Sequence, residues 1–178
     1  MLTLIQSIVI AIAIGNAEGN LNQLKPASSY MGHVDPCVAA GTCAGRKQNT
    51  GIFSIAADSY SPITETKYFL NLIDTLNEIN KTYKFSFWFI LNVADLYVQS
   101  PQATIGWNDS KSEGLGFLKR LAKLNPETTT DDKMAKTRAQ AFLNTQGGLE
   151  AWTDSSGLHR DQTRRVTRLR EIYDKYTN

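Results

Sequence analysis

The sequence predicts a mainly α protein: a helical bundle with a small irregular β/loop lobe inserted after the first helix. Three observations carry that expectation. Apolar residues recur at helical spacing over most of the chain after residue 62. Between residues 19 and 62 the composition shifts to Gly, Asn, Ser, Pro and Asp. No internal repeat or low-complexity block breaks the pattern. With 178 residues, 42% of them hydrophobic, the chain is expected to form one domain spanning residues 1–178.

The elements follow in order. Residues 2–16 are apolar nearly all round, which predicts a helix buried on every side. Isoleucine and valine also suit strands, but the run exceeds the usual strand length of about 4–8 residues. Gly15 and Gly19 are expected to stop it. The 19–62 stretch is long for a loop, and long loops in compact domains are usually functional. Within it, "NTGIFSIA" (49–56) reads as a short strand, or a strand leading into a helical turn. Thr64 is a candidate cap for a helix whose stripe is Phe69, Leu72, Ile73, Leu76 and Ile79. "KFSFWFILNVADLYVQSP" (84–101) predicts a very apolar helix ending at Pro101. Leu115, Leu118, Leu121 and Leu124 mark a basic helix over 112–124. Thr130, Asp131 and Asp132 form a sound N-terminus for a helix through Asn144, with acids where the helix dipole favours them. The last helix buries Val166, Leu169, Ile172, Tyr173 and Tyr176, and its arginines are expected to solvate the outer face.

Charge narrows the function. Nineteen Lys plus Arg against 17 Asp plus Glu leave a net of +2, too weak for a dedicated nucleic-acid binder. The apolar N-terminal run is too short for a stable membrane span of about 20 residues and lacks a basic flank, so a buried helix is favoured over a secretory signal. Cys37 and Cys43 either close a small loop disulfide or remain two thiols. His33 and His159 are the only histidines, so no metal is expected, and no cofactor. The chain is expected to be a monomer acting outside the cytoplasm, extracellular or periplasmic.

Two carboxylates stand out. Glu18 ends the first apolar helix, where the negative end of the helix dipole and partial burial both disfavour its charge. A carboxyl group that keeps its proton near neutral pH can act as a general acid. The plain alternative is a helix-end acid reaching solvent. Asp35, 17 positions on, is a second carboxylate. Carboxylate pairs across a cleft are the working parts of most glycoside hydrolases, at roughly 5–5.5 Å for retention and roughly 6.5–9.5 Å for inversion. Asp35 precedes Pro36, so turn initiation competes with that role. His33 is a candidate donor to substrate or to Asp35. Tyr30, Phe53, Tyr60 and Trp107 are candidate platforms for sugar rings. Trp88 is expected in the core.

The order of these motifs resembles the lysozyme-like superfamily, which includes lytic transglycosylases, phage endolysins and goose-type lysozymes. "AEGN" (17–20) resembles the helix-ending catalytic Glu, and "NTGIFS" (49–54) loosely resembles the short β segment lining the cleft, which implies substrate contacts for Asn49, Phe53 and Ser54. Together with "YMGHVDP" (30–36), "DLYVQSP" (95–101) and "DQTRR" (161–165), the order is similar to a group of largely cyanobacterial lysozyme-like proteins and spans almost the whole chain. Asn20 stands where that pattern has Thr, Cys37 stands where it has Gly, and the transglycosylase glutamine is absent. The resemblance implies cleavage of the β-1,4 bond between N-acetylmuramic acid and N-acetylglucosamine in peptidoglycan. Glu18 would protonate the glycosidic oxygen, and Asp35 or the muramic acid 6-hydroxyl would complete the reaction.

Two other readings compete. One is a non-catalytic module of the same fold that binds glycan or protein, with the Arg-rich last helix as its surface. The other is a helical adaptor unrelated to sugars. The triplets "NKT" (80–82) and "NDS" (108–110) match glycosylation sequons, a pattern that arises often by chance.

Overall fold

The computed structural model describes residues 1–21, 49–56, 59–106, 116–143 and 155–177. Among these residues it is mainly helical. Seven helices run in chain order: α1 (Leu4–Glu18), α2 (Pro62–Tyr83), α3 (Phe87–Gln99), α4 (Pro101–Ile105), α5 (Phe117–Leu121), α6 (Asp131–Leu143) and α7 (Ser155–Thr177). Between α1 and α2, strands β1 (Asn49–Thr50) and β2 (Ile55–Ala56) pair antiparallel, Asn49 opposite Ala56 and Thr50 opposite Ile55. Among the described residues the β component is thus two residues per strand.

α3 is the hub. Every residue from Trp88 to Leu96 is buried, because this helix touches α1, α2, α4, α5 and α7. Its start is set by Ser86, whose hydroxyl accepts from the Phe89 N–H. α7 packs along both α6 and α1, carrying Val166, Leu169 and Ile172 into the shared core. Leu72 and Leu76 bring α2 onto the same cluster.

α1 has a full capping box. The Thr3 hydroxyl accepts from the Gln6 N–H (3.1 Å), and the Gln6 side chain accepts from the Thr3 N–H (2.9 Å). Gly19 ends the helix in the left-handed conformation, φ 82°, which suits a residue without Cβ. Gly15 lies inside the helix and does not stop it. Its missing side chain leaves room for Leu21, which folds back against it where a Cβ would clash.

Several sequence expectations are corrected. α1 is not buried on every side: Leu4 (77%), Ile5 (70%) and Ile8 (48%) are exposed, while Val9, Ile10, Ala13, Ile14 and Ala17 are core. Among the elements described, its neighbours α3 and α7 cover the latter stripe. α2 begins one turn earlier than Thr64. Ser61 caps it, and Pro62 takes the first helical position, where its missing N–H costs nothing. Among the described residues the basic helix runs over 117–121 and stops before Leu124, and Tyr176 is 44% exposed; residues 112–115 lie outside the described residues. No described helix is long and apolar enough to cross a membrane.

Candidate functional site around Glu18

Glu18 is the last residue of α1, and its side chain is 7% exposed. Its two carboxylate oxygens are held from opposite elements. Oε1 accepts from Arg165 Nη2 on α7 at 2.5 Å. Oε2 accepts from the Ser54 hydroxyl in the β1–β2 turn at 3.2 Å. Ser54 Oγ in turn accepts from Asn20 Nδ2 (2.8 Å), which also bonds the Ile52 carbonyl (3.3 Å). Asn20 Oδ1 is buried with no hydrogen-bond partner among the described residues.

The turn that presents Ser54 is under visible constraint. Gly51 has φ 81° and Ser54 φ 55°. For a non-glycine residue, that region costs on the order of 1–2 kcal/mol. Such strain persists only where surrounding contacts over-determine it. Here Glu65, in the first turn of α2, accepts from the Ile52 N–H (2.5 Å) and from the Tyr60 hydroxyl (3.3 Å). A Cβ at Gly51 would collide with that carboxylate. Phe53, next to Ser54, is 5% exposed and packs on Tyr68 and Phe69 at ring centroid distances of 5.4 and 5.8 Å. Its ring is part of the core and anchors the turn.

Behind Glu18 lies a buried charge chain. Arg165 Nη1 donates to Asp95 Oδ1 at 3.0 Å, and Asp95 Oδ2 accepts from Arg138 Nη2. The Asp95 and Arg138 side chains are fully buried and that of Arg165 is 6% exposed. Arg138 also reaches Gln162 Oε1 (2.8 Å), Asn92 O and Oδ1 (3.2 Å each) and Gln99 Oε1 (3.1 Å). Glu18, Arg165, Asp95 and Arg138 thus alternate in sign and sum to zero when all are ionised. That balance is what permits charges to sit out of water. Arg165 Nε lies 3.5 Å from Asp161 Oδ2, an ion-pair distance without hydrogen-bond geometry.

Burial pushes the Asp95 carboxyl up. Arg165 and Arg138, by charge and hydrogen bonds, outweigh burial and hold it below the ordinary Asp value. Burial alone works against the Arg165 guanidinium, yet Asp95, Glu18 and Asp161 raise its proton affinity above the ordinary arginine value. Tyr68 is pushed up to about 12, first by burial, then by Tyr97 and by the negative charge of Glu18. Its phenol therefore stays protonated at neutral pH.

α7 wraps the end of α1 with cations. Arg164 Nη1 donates to the Ala17 carbonyl (3.1 Å), and Arg168 Nη1 donates to the Asn16 carbonyl (3.2 Å). These are carbonyls of a helix end, which carries partial negative charge. The expectation that the α7 arginines merely solvate an outer face is corrected for Arg164, Arg165 and Arg168.

Of the residues singled out from the sequence, Glu18 and Ser54 are brought into contact. Phe53 is placed in the core beside them, and Asn49 lies in β1. Asp35, Tyr30, His33 and Trp107 lie outside the described residues, as do Cys37 and Cys43. Sequence reasoning missed Asp95, Arg138, Arg165 and Asn20. A signal was present: Asn92, Asp95 and Gln99 form the polar stripe of an otherwise apolar helix, and buried polar groups must find partners. Among the described residues no cluster of His, Cys, Asp and Glu is suited to hold a metal.

No family model matches the chain, nor does any curated protein or any solved structure.

Proposed function

We propose that this chain is a peptidoglycan-cleaving glycosidase, a muramidase or lytic transglycosylase acting on the β-1,4 bond between N-acetylmuramic acid and N-acetylglucosamine, with Glu18 as general acid. The observation that carries the reading is the Glu18 carboxylate itself. It ends a core helix, is gripped at both oxygens, and meets a serine whose backbone is strained to reach it. Fixing a proton donor in one orientation before substrate arrives is the arrangement acid catalysis benefits from. The motif order of the sequence supplies the substrate class.

Proton donation requires the neutral acid, so substrate binding must weaken the Arg165 contact or raise the carboxyl's proton affinity by excluding water. Product mass separates two completions of the reaction. A hydrated reducing end calls for a second carboxylate, for which Asp35 is the sequence candidate. An anhydro end calls for internal attack by the muramic acid 6-hydroxyl, with Glu18 acting as acid and then as base.

A second reading, a non-catalytic module of lysozyme-like fold that binds glycan or protein, is favoured by one contact. A guanidinium 2.5 Å from Glu18 stabilises the carboxylate, which has no proton to give. Mass analysis of muropeptides after incubation with wild type and Glu18→Gln decides between them. Cleavage by wild type, with loss of at least about 100-fold in the variant, is the expected result. No cleavage by wild type, or equal cleavage by both, overturns the glycosidase reading.

A further inference from the structure

We propose that Asp95 is a positioning residue for Glu18, acting through Arg165, whose guanidinium it divides between the two carboxylates. Arg165 reaches Glu18 Oε1 with Nη2 and Asp95 Oδ1 with Nη1, so one cation serves two anions on opposite sides. The Asp95 side chain is fully buried. Its second oxygen accepts from Arg138, so the carboxylate is held from both sides.

The consequence follows from charge. If Arg165 answered Glu18 alone, the full positive charge would stabilise the Glu18 carboxylate and suppress its acid form. Asp95 offsets that charge at short range, in surroundings that screen little. Glu18 therefore keeps the geometric benefit of a guanidinium contact with less of its electrostatic cost. The Ser54 hydroxyl holds the other oxygen.

The charged and titratable groups around Glu18, among the described residues, come from every packed element. α7 contributes Arg165 directly, Arg164 and Arg168 on the Ala17 and Asn16 carbonyls, and Asp161 beside Arg165. α3 contributes Asp95, and Tyr97 acts on Tyr68. α6 contributes Arg138 behind Asp95, and α2 contributes Tyr68. Of these, Asp95 is the anion that shares the cation in direct contact with Glu18 through a hydrogen bond. Asp161 meets Arg165 without hydrogen-bond geometry.

The experiment is a carbon-detected NMR titration of the Glu18 carboxyl, assigned by its absence in Glu18→Gln. It is run on wild type, Asp95→Asn and the double variant Asp95→Asn/Arg138→Met. The double variant removes one charge of each sign, keeps the buried set neutral, and decides the matter where the single variant does not fold. In folded Asp95→Asn the Glu18 midpoint is expected to fall by about one pH unit or more, so the protonated fraction above it falls about tenfold, and in the double variant it falls by less, because loss of the more distant Arg138 charge offsets part of the change. An unmoved midpoint in a folded variant overturns the proposal.

The effect on rate rests on the glycosidase reading, and the titration does not. If peptidoglycan is cleaved, the upper pH limit of kcat/KM moves down in parallel with the midpoint, a shift that mere loosening of the fold would not produce. A moved midpoint with no cleavage by wild type refutes the glycosidase reading and leaves the coupling standing. Cleavage with an unmoved midpoint refutes the coupling alone.

Discussion

A single carboxylate, Glu18, concentrates the chemistry of this chain, and its neighbours set what it can do. Sequence position supplies two influences that disfavour its charge, the end of α1 and burial. Arg165 adds a third influence of opposite sign. Tyr68 reports on the same carboxylate from a different side. Part of the rise of its phenol to about 12 comes from the negative charge of Glu18, after burial and Tyr97. Ultraviolet titration of Glu18→Gln is therefore expected to show the Tyr68 transition at lower pH than in wild type. The Phe53 ring that packs on it stays in place. A Tyr68 transition unchanged by the substitution would mean the two groups do not face each other.

The elements that place Glu18 depend on a few backbone positions. Gly19 turns the chain out of α1 at φ 82°, and Gly51 and Ser54 turn it between β1 and β2. Gly116, before α5, lies so close to the end of α4 that a Cβ would sit 2.7 Å from the Ile105 carbonyl oxygen and the Gly106 nitrogen. The two kinds of glycine predict different costs. Gly19→Ala meets conformational strain alone, because its Cβ would be 3.4 Å from Arg168 Nη1, and is expected to lose about 1–2 kcal/mol. Gly116→Ala must displace backbone and is expected to lose more. Urea unfolding of both variants checks the order, and a smaller loss at Gly116 would contradict the close approach of α4 and α5. Helix identity along the chain was largely legible from the sequence, since the spacing of Leu72, Leu76, Val166, Leu169 and Ile172 is local information. Ends were less so. Ser61–Pro62 in place of Thr64, and Gly15 inside α1, depend on what the flanking chain packs against.

Across the whole molecule, the buried chain from Glu18 to Arg138 ties α1, α3, α6 and α7 together at one place. Its stability carries a pH signature. Asp95 is held below its ordinary value of 3.8 in the folded protein, so the unfolded chain takes up that proton first as pH falls. The contribution is complete above the unfolded value and is lost as pH drops through the folded one. Wild type is therefore expected to keep its advantage over Asp95→Asn in urea midpoint from pH 7 to about 5. The gap narrows below about pH 4. A gap that closes between pH 7 and 5 would show that Asp95 is not the paired anion described.

By itself, the sequence determined a mainly helical chain, the stripes that pack it, and the place of Glu18 at the end of a core helix, because periodicity and capping act over a few residues. Only the tertiary structure decided that Ser54 meets Glu18, that Arg165 bridges Glu18 and Asp95, and that Arg138 is buried. Those contacts join residues 36, 70 and 147 positions apart. Nothing in local spacing encodes which distant cation will neutralise a buried carboxylate. The polar stripe of α3 announces that partners must exist, and packing chooses them.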